Sequence, residues 1–484
     1  MPESIKYQAV IGLEVHAQLS TNSKLFCGDS TTFGAPPNTQ LSEITLAHPG
    51  TLPKINRKAI EFAVKLGLSL KCDIAPKSFF ARKNYFYPDL PKGYQVSQHT
   101  TPICTNGTVR INTTGGERDI KLNRIHIEED AGKSIHDVDE QFTCVDHNRA
   151  GVALLEIVSE PDMHSGEEAF AYVTELRKLV RYLGICDGNM EEGSMRCDAN
   201  ISIRPVGDSR LGTRVEVKNL NSIRNVKRAI EYEISRLTDM AERGEQILQE
   251  TRSFDAGSGT TFSLRSKEEA NDYRYFPEPD LPPFLVSSQI LEQIRETIPP
   301  LPAELEKKYT EAYSLSSYDA KVICDDKETV DYFESVIAFT TYYKSAANWI
   351  LGPVKSYCNS HNINVGDFPL PGKAIAELVE IVESGRIGFN VAGTKLMEAL
   401  ISERGSDAMA TASRLNLYQE NDLDSINAWV DEVIKNMPAK VEEYKSGKKA
   451  LIGLFAGEIK KLSKGKADMQ LVNQLLKNRL ESRS

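Results

Sequence analysis

The sequence of 484 residues has no run of about eighteen apolar residues, so no membrane span is expected. It has no Cys-x-x-Cys pair, and its eight cysteines are scattered, several of them at apolar positions of strand or helix patterns. This usage is typical of reduced, buried thiols in a cytosolic protein. The first residues lead into a strand pattern without a basic and then an apolar segment, so no signal peptide is predicted. We therefore expect a cytoplasmic protein with no membrane partner.

Two catalytic motifs are also missing. Residues 131–134 resemble the end of a phosphate-binding P-loop, but the glycine required five residues before Gly132 is Ile127. No Gly-Gly-Ser-Ser run of amidase type is present, and no cysteine lies in a nucleophile-elbow context. A nucleotide would therefore have to bind through metal ions and basic side chains, and ammonia would not be released from glutamine by this chain.

Charge is unevenly distributed along the sequence. The net charge of −10 argues against a general polyanion binder. From residue 448 to the end, nine Lys or Arg stand against three acidic residues, a net charge of +6. This segment either contacts phosphates or forms the solvated face of a terminal helical domain.

Several segments alternate in the manner of strands, with charged groups on one face and aliphatic groups on the other. They are residues 13–19, 121–129, 196–204 and 213–218. The polar faces carry these side chains: Glu14, His16, Gln18, Arg196, Asp198, Asn200, Arg214, Glu216 and Lys218. Such a set suits a site that holds a hard metal ion and an anion together. The alternative is the hydrated face of an antiparallel sheet, which also alternates.

Local signals divide the chain into a mixed part and a helical part. Ser165 begins a capping box, and Gly184 is placed to end the helix that follows. A second helix is predicted over residues 225–243. Proline-rich segments at 277–283 and 298–302 then mark a change, after which the pattern is almost entirely helical. The predicted fold class is α+β.

Residues 82–89 and 272–280 both interleave cations with aromatic side chains. Segments of this kind can stack on a base or contact the end of a nucleic acid. They can equally be aromatic plugs that close loops over a core. The sequence leaves both interpretations open.

Long motifs identify the chain as a member of the GatB family, which belongs to the aspartyl/glutamyl-tRNA amidotransferases. The resemblance runs nearly end to end and rests on residues 10–16, 82–89, 128–134, 155–162, 190–200, 216–221, 272–277 and 464–473. It implies that misacylated tRNA(Gln), tRNA(Asn) or both are bound, and that ATP activates the side-chain carboxylate for amidation. It also implies a heterotrimer, with a GatA-type amidase that releases ammonia from glutamine and a small GatC-type subunit.

The resemblance also implies roles for particular residues. The expected Mg²⁺ site comprises Glu14, His16, Glu129, Asp198 and Glu216. Lys83 is expected at the mouth of an ammonia tunnel, with Lys92 and Glu128 beside it as catalytic residues. Four cations are expected to contact ATP: Arg149, Arg196, Arg214 and Lys218. Strict alternation places Glu128, and not Glu129, on the face of His126, unless a bulge resets the phase.

The family fold implied is a mainly antiparallel, glutamine synthetase-like cradle over residues 1–296. A helical domain over 297–407 and a YqeY-like tRNA-binding tail over 408–484 would follow. Some members carry four zinc-binding cysteines, but here only Cys27 remains, and Asp29, Ser42 and Thr45 take the other positions. No zinc is therefore expected. The rival interpretation of the whole chain is a non-catalytic tRNA-binding scaffold.

Overall fold

The computed structural model of the chain describes residues 6–136, 138–266, 273–403, 405–418, 423–463 and 467–481. Two motif segments extend beyond them, since residue 272 and residues 464–466 lie outside the described residues. The chain forms two compact units, Met1–Leu301 and Pro302–Ser484. The three-domain division at 296/297 and 407/408 stays a prediction.

The first unit is mixed and the second is helical, so the predicted α+β class is confirmed. Strands of the first unit are β1 Tyr7–Gln18, β2 Asp73–Ile74, β3 Lys77–Ser78, β4 Ala81–Asn84, β5 Tyr94–Ser97, β6 Cys104–Thr105, β7 Thr108–Thr113, β8 Gly116–Glu129, β9 Lys133–Ile135, β10 Cys144–Asp146, β11 Ala153–Ser159, β12 Met195–Pro205, β13 Val215–Leu220, β14 Glu250–Asp255, β15 Thr260–Ser266, β16 Arg274–Pro277 and β17 Phe284–Leu285. Its helices are α1 Arg57–Ser69, α2 Gly166–Tyr182, α3 Ile223–Glu242 and α4 Ser288–Glu296.

A ten-stranded sheet organises the first unit, in the order β15-β14-β13-β12-β1-β11-β8-β6-β2, with β7 also paired to β8. Its neighbours are antiparallel except for β13 and β14, which run parallel. Aliphatic side chains of one face, among them Leu13, Val15 and Ala17, pack under α1, α2 and α3 in one apolar core. The opposite face of the central strands is therefore left to the polar residues of each alternation.

Two predicted helices of this unit are confirmed by their caps. Ser165 Oγ accepts a hydrogen bond of 3.1 Å from the Glu168 backbone N–H at the start of α2, and Gly184 follows its end with a φ of +67°. The predicted helix over 225–243 is α3, which is capped by Ser222 and followed by Gly244 at a φ of +71°. Both glycines occupy left-handed backbone that other residues adopt only with strain.

Residues 131–134 do not form a P-loop, as predicted. Strand β9 covers Lys133–Ile135 and pairs with β10 as a separate two-stranded sheet. The phosphate-cradling turn of a P-loop needs a helix directly after it, and here a strand stands in that position.

The second unit contains helices and no strand among its described residues. They are α5 Pro302–Glu311, α6 Ser317–Cys324, α7 Lys327–Ile337, α8 Tyr343–Trp349, α9 Lys355–His361, α10 Gly372–Glu383, α11 Phe389–Val391, α12 Met397–Ser402, α13 Ala408–Arg414, α14 Leu423–Asn436, α15 Pro438–Lys445, α16 Ile452–Leu462 and α17 Met469–Glu481. Helices α14 to α17 enclose a small apolar core of their own, with Ile426, Val430, Phe455 and Leu476 at its centre. In the described parts of the chain, no helix is both long and apolar enough to cross a membrane.

Candidate active site

A cavity of about 750 Å³ lies over the polar face of the central strands. Strands β8, β11, β1, β12 and β13 form its floor, and the small sheet of β16, β4 and β5 contributes a wall. Nine of the twelve site residues predicted from the sequence line it: Glu14, His16, Lys83, Glu128, Arg196, Asp198, Arg214, Glu216 and Lys218. Lys92, Glu129 and Arg149 are not among the lining residues.

One part of the cavity floor is a cluster of two histidines and two glutamates. His16 and His126 both lie opposite Glu156 in the strand register, because β11 runs between β1 and β8. His126 Nε2 is 3.1 Å from Glu156 Oε2, and His16 Nε2 is 3.6 Å from the same oxygen. Glu128 approaches from β8, with Oε1 3.7 Å from His16 Nε2. In the described part of the chain, His16, Glu128 and Glu156 bring three ligand atoms within 4.8 Å of one another.

Protonation in this cluster is strongly coupled. Burial disfavours the charged form of His126, but its hydrogen bonds with Glu128 and Glu156 raise its pKa to about 9. Burial likewise opposes a charge on His16, and the hydrogen bond with Glu156 and the charge of Glu128 outweigh it and raise the pKa of His16. The same two histidines lower the pKa of Glu156 despite its burial. The cluster therefore uses histidine cations to balance its carboxylates.

A second group of carboxylates lies on β1, β12 and β13. Glu14 is directly opposite Asp198, and Asn200 is opposite Glu216. The Lys218 ammonium lies between two of these carboxylates, 2.7 Å from Asp198 Oδ2 and 2.8 Å from Glu216 Oε1. Three acidic side chains from three strands therefore lie side by side in the same cavity.

Two polar side chains hold this second group in place. Asn200 Nδ2 donates a hydrogen bond of 2.8 Å to Glu14 Oε1. Thr251, on β14, donates one of 3.0 Å to Glu216 Oε2. These bonds fix the orientation of carboxylates that a ligand would otherwise have to order.

The pKa directions show an excess of negative charge around Glu14. Burial and the charges of Glu156, Asp198 and Glu216 raise the pKa of the Glu14 carboxyl, against the Asn200 hydrogen bond. The Glu216 carboxyl is buried too, yet Lys218 and the Thr251 hydroxyl lower its pKa. A divalent cation among these oxygen donors would relieve the repulsion at Glu14, and oxygen donors are the ligands Mg²⁺ prefers. The residues present therefore fit the expected metal.

Glu129 lies on the other side of β8 from the metal-fitting groups. Its carboxylate accepts a hydrogen bond of 2.8 Å from the Val96 backbone N–H and pairs with the Lys92 ammonium. Both residues line a separate small cavity beside Phe26 and Leu90. As alternation predicted, Glu128 shares the face of His126, and the large cavity is lined by Glu128 and not Glu129. The expected metal role of Glu129 is not supported by this placement.

A bulge in β8 sets this orientation. Arg124 pairs with Val158, whereas Leu122 pairs with Ser159, so Asn123 is an extra residue in the ladder. Ile120 and Leu122 before the bulge and Ile125 and Ile127 after it are all buried, although the two pairs differ in sequence parity. Continued from Ile127, the alternation sends Glu129 to the core side.

Arg196 and Arg149 both contact Asp130, which is buried. Arg196 Nη2 donates a hydrogen bond of 2.9 Å to Asp130 Oδ1, and burial of Asp130 is outweighed by the two arginines, which lower its pKa. Arg149 donates to the backbone carbonyls of Ala131 and Gly132 at 3.0 and 2.7 Å. Arg196 thus lines the cavity, while Arg149 holds the loop after β8.

The two segments that interleave cations with aromatics meet in one small sheet. Tyr275 of β16 pairs with Lys83 of β4. The Lys83 ammonium lies 4.7 Å from the ring centroid of Tyr273 and 5.7 Å from that of Tyr85. All four side chains line the large cavity, so these segments contribute directly to the site.

The four positions that correspond to zinc-binding cysteines form a hydrogen-bonded cluster. Asp29 Oδ2 accepts bonds from the Ser42 backbone N–H at 2.8 Å, from the Ser42 hydroxyl at 2.9 Å and from the Thr45 hydroxyl. Cys27 Sγ lies 3.4 Å from Thr45 Oγ1. A single carboxylate therefore connects the loop segments that these residues belong to.

Comparison with known proteins agrees with this geometry. Residues 9–292 match the model of the GatB/GatE catalytic domain, and residues 331–480 match that of the GatB domain. The chain belongs to the GatB family. Its relatives include proteins named as the B-type component of aspartyl/glutamyl-tRNA(Asn/Gln) amidotransferase. One, from Geotalea uraniireducens, is 49% identical over 98% of this chain and 100% of its own length. Another, from Synechococcus sp. strain JA-2-3B'a(2-13), is 47% identical over 99% of both chains.

Glu156 and His126 are pocket residues that the sequence interpretation did not include among the site residues. Glu156 alternates with Leu155 and Ile157, and it lies in the segment 155–162 that carries the family resemblance. The same period-two signal that indicated Glu14 was therefore present. What the sequence did not reveal is the register that brings Glu156 opposite His16.

Proposed function

We propose that this chain is the catalytic subunit of a tRNA-dependent amidotransferase. It would bind glutamyl-tRNA(Gln), aspartyl-tRNA(Asn) or both in the cytoplasm, activate the side-chain carboxylate with ATP, and support its amidation. The observation that carries the proposal is the single cavity in which carboxylates of β1, β11, β12 and β13 face the cations Arg196, Arg214 and Lys218. The relatives' name, which specifies tRNA(Asn/Gln) and an amidotransferase, gives the substrate class.

The first step requires two negative groups to meet. An oxygen of the substrate carboxylate attacks the γ-phosphorus of ATP, the bond to the β-phosphate oxygen breaks, and an acyl phosphate and ADP result. Arg196, Arg214 and Lys218 would bind phosphate oxygens along β12 and β13. Glu14, Asp198 and Glu216, together with His16, Glu128 and Glu156, would hold Mg²⁺. The bound metal supplies charge neutralisation and alignment of the phosphates.

The second step replaces phosphate by nitrogen. Ammonia attacks the acyl carbon, phosphate leaves with the bonding electrons, and one proton is lost from nitrogen. Lys83 lies on the cavity wall opposite β13 and would face the incoming ammonia. Because an acyl phosphate hydrolyses readily, the small sheet over the cavity would protect it from water.

Two further parts of the proposal concern assembly and architecture. Since the chain has no visible glutaminase motif, a GatA-type amidase would supply ammonia, with a small GatC-type subunit completing the complex. A large, mainly antiparallel sheet with its site on one open face also agrees with a glutamine synthetase-like cradle.

The test is ATP turnover by the complete complex with charged tRNA and Mg²⁺. The proposal expects ADP formation that depends on the charged tRNA, and an activated carboxylate that hydroxylamine traps as the γ-hydroxamate of glutamate when ammonia is withheld. A non-catalytic scaffold would bind the same tRNA without ADP formation or trapped product. The glutaminase activity of the partner amidase, measured in parallel, shows that the complex is intact.

A further inference from the structure

The small sheet at the edge of the cavity has one pocket face and one outer face. Its order is β16-β4-β5, and Tyr275, Lys83 and Gln95 are aligned across it. All three line the cavity. The neighbouring row of Phe276 and Arg82 belongs to the other face, where the Arg82 guanidinium lies 5.8 Å from the Phe276 ring centroid. Adjacent aromatic residues of β16 thus face different environments.

Aromatic rings concentrate on the pocket face. The Tyr275 ring is stacked on the imidazole of His99, with centroids 4.1 Å apart and planes 10° from parallel. Tyr273 meets Tyr85 edge-on, with centroids 5.5 Å apart, and Lys83 lies over both rings. His99 is solvent-exposed, and Tyr275 is half-buried. A preordered stack with an exposed ring is a surface on which a nucleobase can stack.

This aromatic wall stands at the opposite side of the cavity from most of its cations. Its strand β5 is attached to the end of β8, where Gln95 Nε2 donates a hydrogen bond of 2.8 Å to the Glu129 carbonyl. Arg214 and Lys218 belong to β13 and the segment just before it, and β11, β1 and β12 lie between β8 and β13. Four strand spacings separate the two sides, roughly 19 Å.

The two substrates of the proposed reaction differ in what they need at these two sides. In ATP, three phosphates separate the base from the reacting phosphorus centre, so its path must be lined by cations. In a charged tRNA, the amino acid is esterified to the terminal ribose, so the terminal base lies one nucleotide from the reacting carboxylate. The cation-rich side therefore suits ATP, and the aromatic side suits the RNA terminus.

We infer that the stacked pair Tyr275 and His99 is the binding platform for the 3′-terminal base of the aminoacylated tRNA. The inference rests on the proposed function for the identity of the substrate. Stacking on this platform would position the terminal ribose so that the attached side chain extends over β8 and β11, toward Glu128 and Glu156. Tyr275 and His99 would thus be substrate-positioning residues that do not touch the reacting atoms.

The test measures equilibrium binding of uncharged tRNA, without ATP, to the complete complex. Two tRNAs are compared, one with its 3′-terminal adenosine and one that is identical except for an abasic terminal nucleotide. Tyr275→Ala is expected to weaken binding of the intact tRNA about tenfold, the effect of losing one stacked base, and to leave binding of the abasic tRNA unchanged. Tyr275→Phe is expected to bind as the wild type does.

Phe276→Ala is the matched control, because it removes the adjacent ring from the outer face of the same strand. His99→Ala, which removes the exposed ring, is expected to lose affinity for the intact tRNA only, and it keeps the test valid if Tyr275→Ala folds poorly. Equal weakening of both tRNAs, or no weakening, would overturn the inference. Unchanged tRNA binding with a raised KM for ATP would instead place the adenine of ATP on the platform. Since the assay needs no turnover, an inactive wild-type complex would contradict the proposed function and not this inference.

Discussion

Glu14 and Asp198 lie directly opposite each other on the neighbouring strands β1 and β12, with both side chains in the same cavity. Residues 184 positions apart in sequence are thus brought to the shortest cross-strand separation a sheet allows. Like charges directly opposite each other destabilise a sheet unless a cation compensates them. Here Lys218 compensates Asp198, and burial raises the pKa of Glu14. The arrangement is costly for a merely structural surface and suits a cation-binding site.

Glu156 should matter for metal binding as much as the residues expected from the sequence. Glu156→Gln removes a carboxylate charge from the cluster with His16 and Glu128. We expect the Mg²⁺ concentration for half-maximal tRNA-dependent ATP turnover to rise tenfold or more. Glu160→Gln, four residues further along the chain and outside the cavity lining, should leave that concentration unchanged. An unaltered Mg²⁺ requirement in Glu156→Gln would show that the cluster does not bind the metal.

Glu129 should behave differently from Glu128, because it pairs with Lys92 on the opposite side of β8. Glu129→Gln leaves the Lys92 ammonium without its anionic partner, and we expect a loss of about 2 kcal/mol in the free energy of unfolding. Its Mg²⁺ requirement should match that of the wild type. Chemical denaturation and Mg²⁺ titration of ATP turnover measure the two effects. A Mg²⁺ requirement raised as strongly as in Glu156→Gln would return Glu129 to the metal site.

The Asp29 cluster should stabilise the chain in a pH-dependent and zinc-independent way. Hydrogen bonds from Thr45, Cys27 and Ser42 outweigh burial and lower the pKa of Asp29. A carboxyl with a lowered pKa contributes stability above its unfolded value, near 4, and loses that contribution as the pH falls through the folded value. Asp29→Ala should therefore cost about 2 kcal/mol at pH 7, measured by urea unfolding, and less below about pH 4.

Two controls accompany this measurement. Ser30→Ala removes an exposed hydroxyl next to Asp29 and should change stability by less than about 0.5 kcal/mol. A strong zinc chelator should leave the unfolding midpoint of the wild type unchanged, in line with the prediction of no zinc. A midpoint lowered by the chelator would contradict that prediction.

The C-terminal segment should contribute salt-dependent tRNA affinity. Its net charge from residue 448 onward is +6, and Lys460 and Lys461 are exposed at the end of α16. Removal of residues 408–484 is expected to weaken tRNA binding and to reduce the dependence of log Kd on log salt concentration. The double variant Lys460→Gln/Lys461→Gln should shift both quantities in the same direction, by less. Equal affinity of the truncated chain at every salt concentration would exclude this role.

Local rules were enough to predict which side chains share a face. Glu14 and His16 were assigned to one face from period two alone, and the caps of α2 were assigned from Ser165 and Gly184, because both signals act within a few residues. The pairing of β1 with β11 and β12 joins segments far apart in sequence, so the encounter of His16 with Glu156 was not readable. The bulge at Asn123 is set by the pairing with β11, so the sequence alone did not reveal where the phase of β8 changes.

The central claim is that carboxylates from separate strands act together on Mg²⁺ and ATP. It is tested most directly by single-turnover phosphorylation of the carboxylate on charged tRNA, trapped with hydroxylamine, in Asp198→Asn and in Glu216→Gln. The account predicts that both complexes lose trapped product at least a hundredfold while the Kd for tRNA stays within about twofold of the wild type. Wild-type amounts of trapped product in both variants would contradict it.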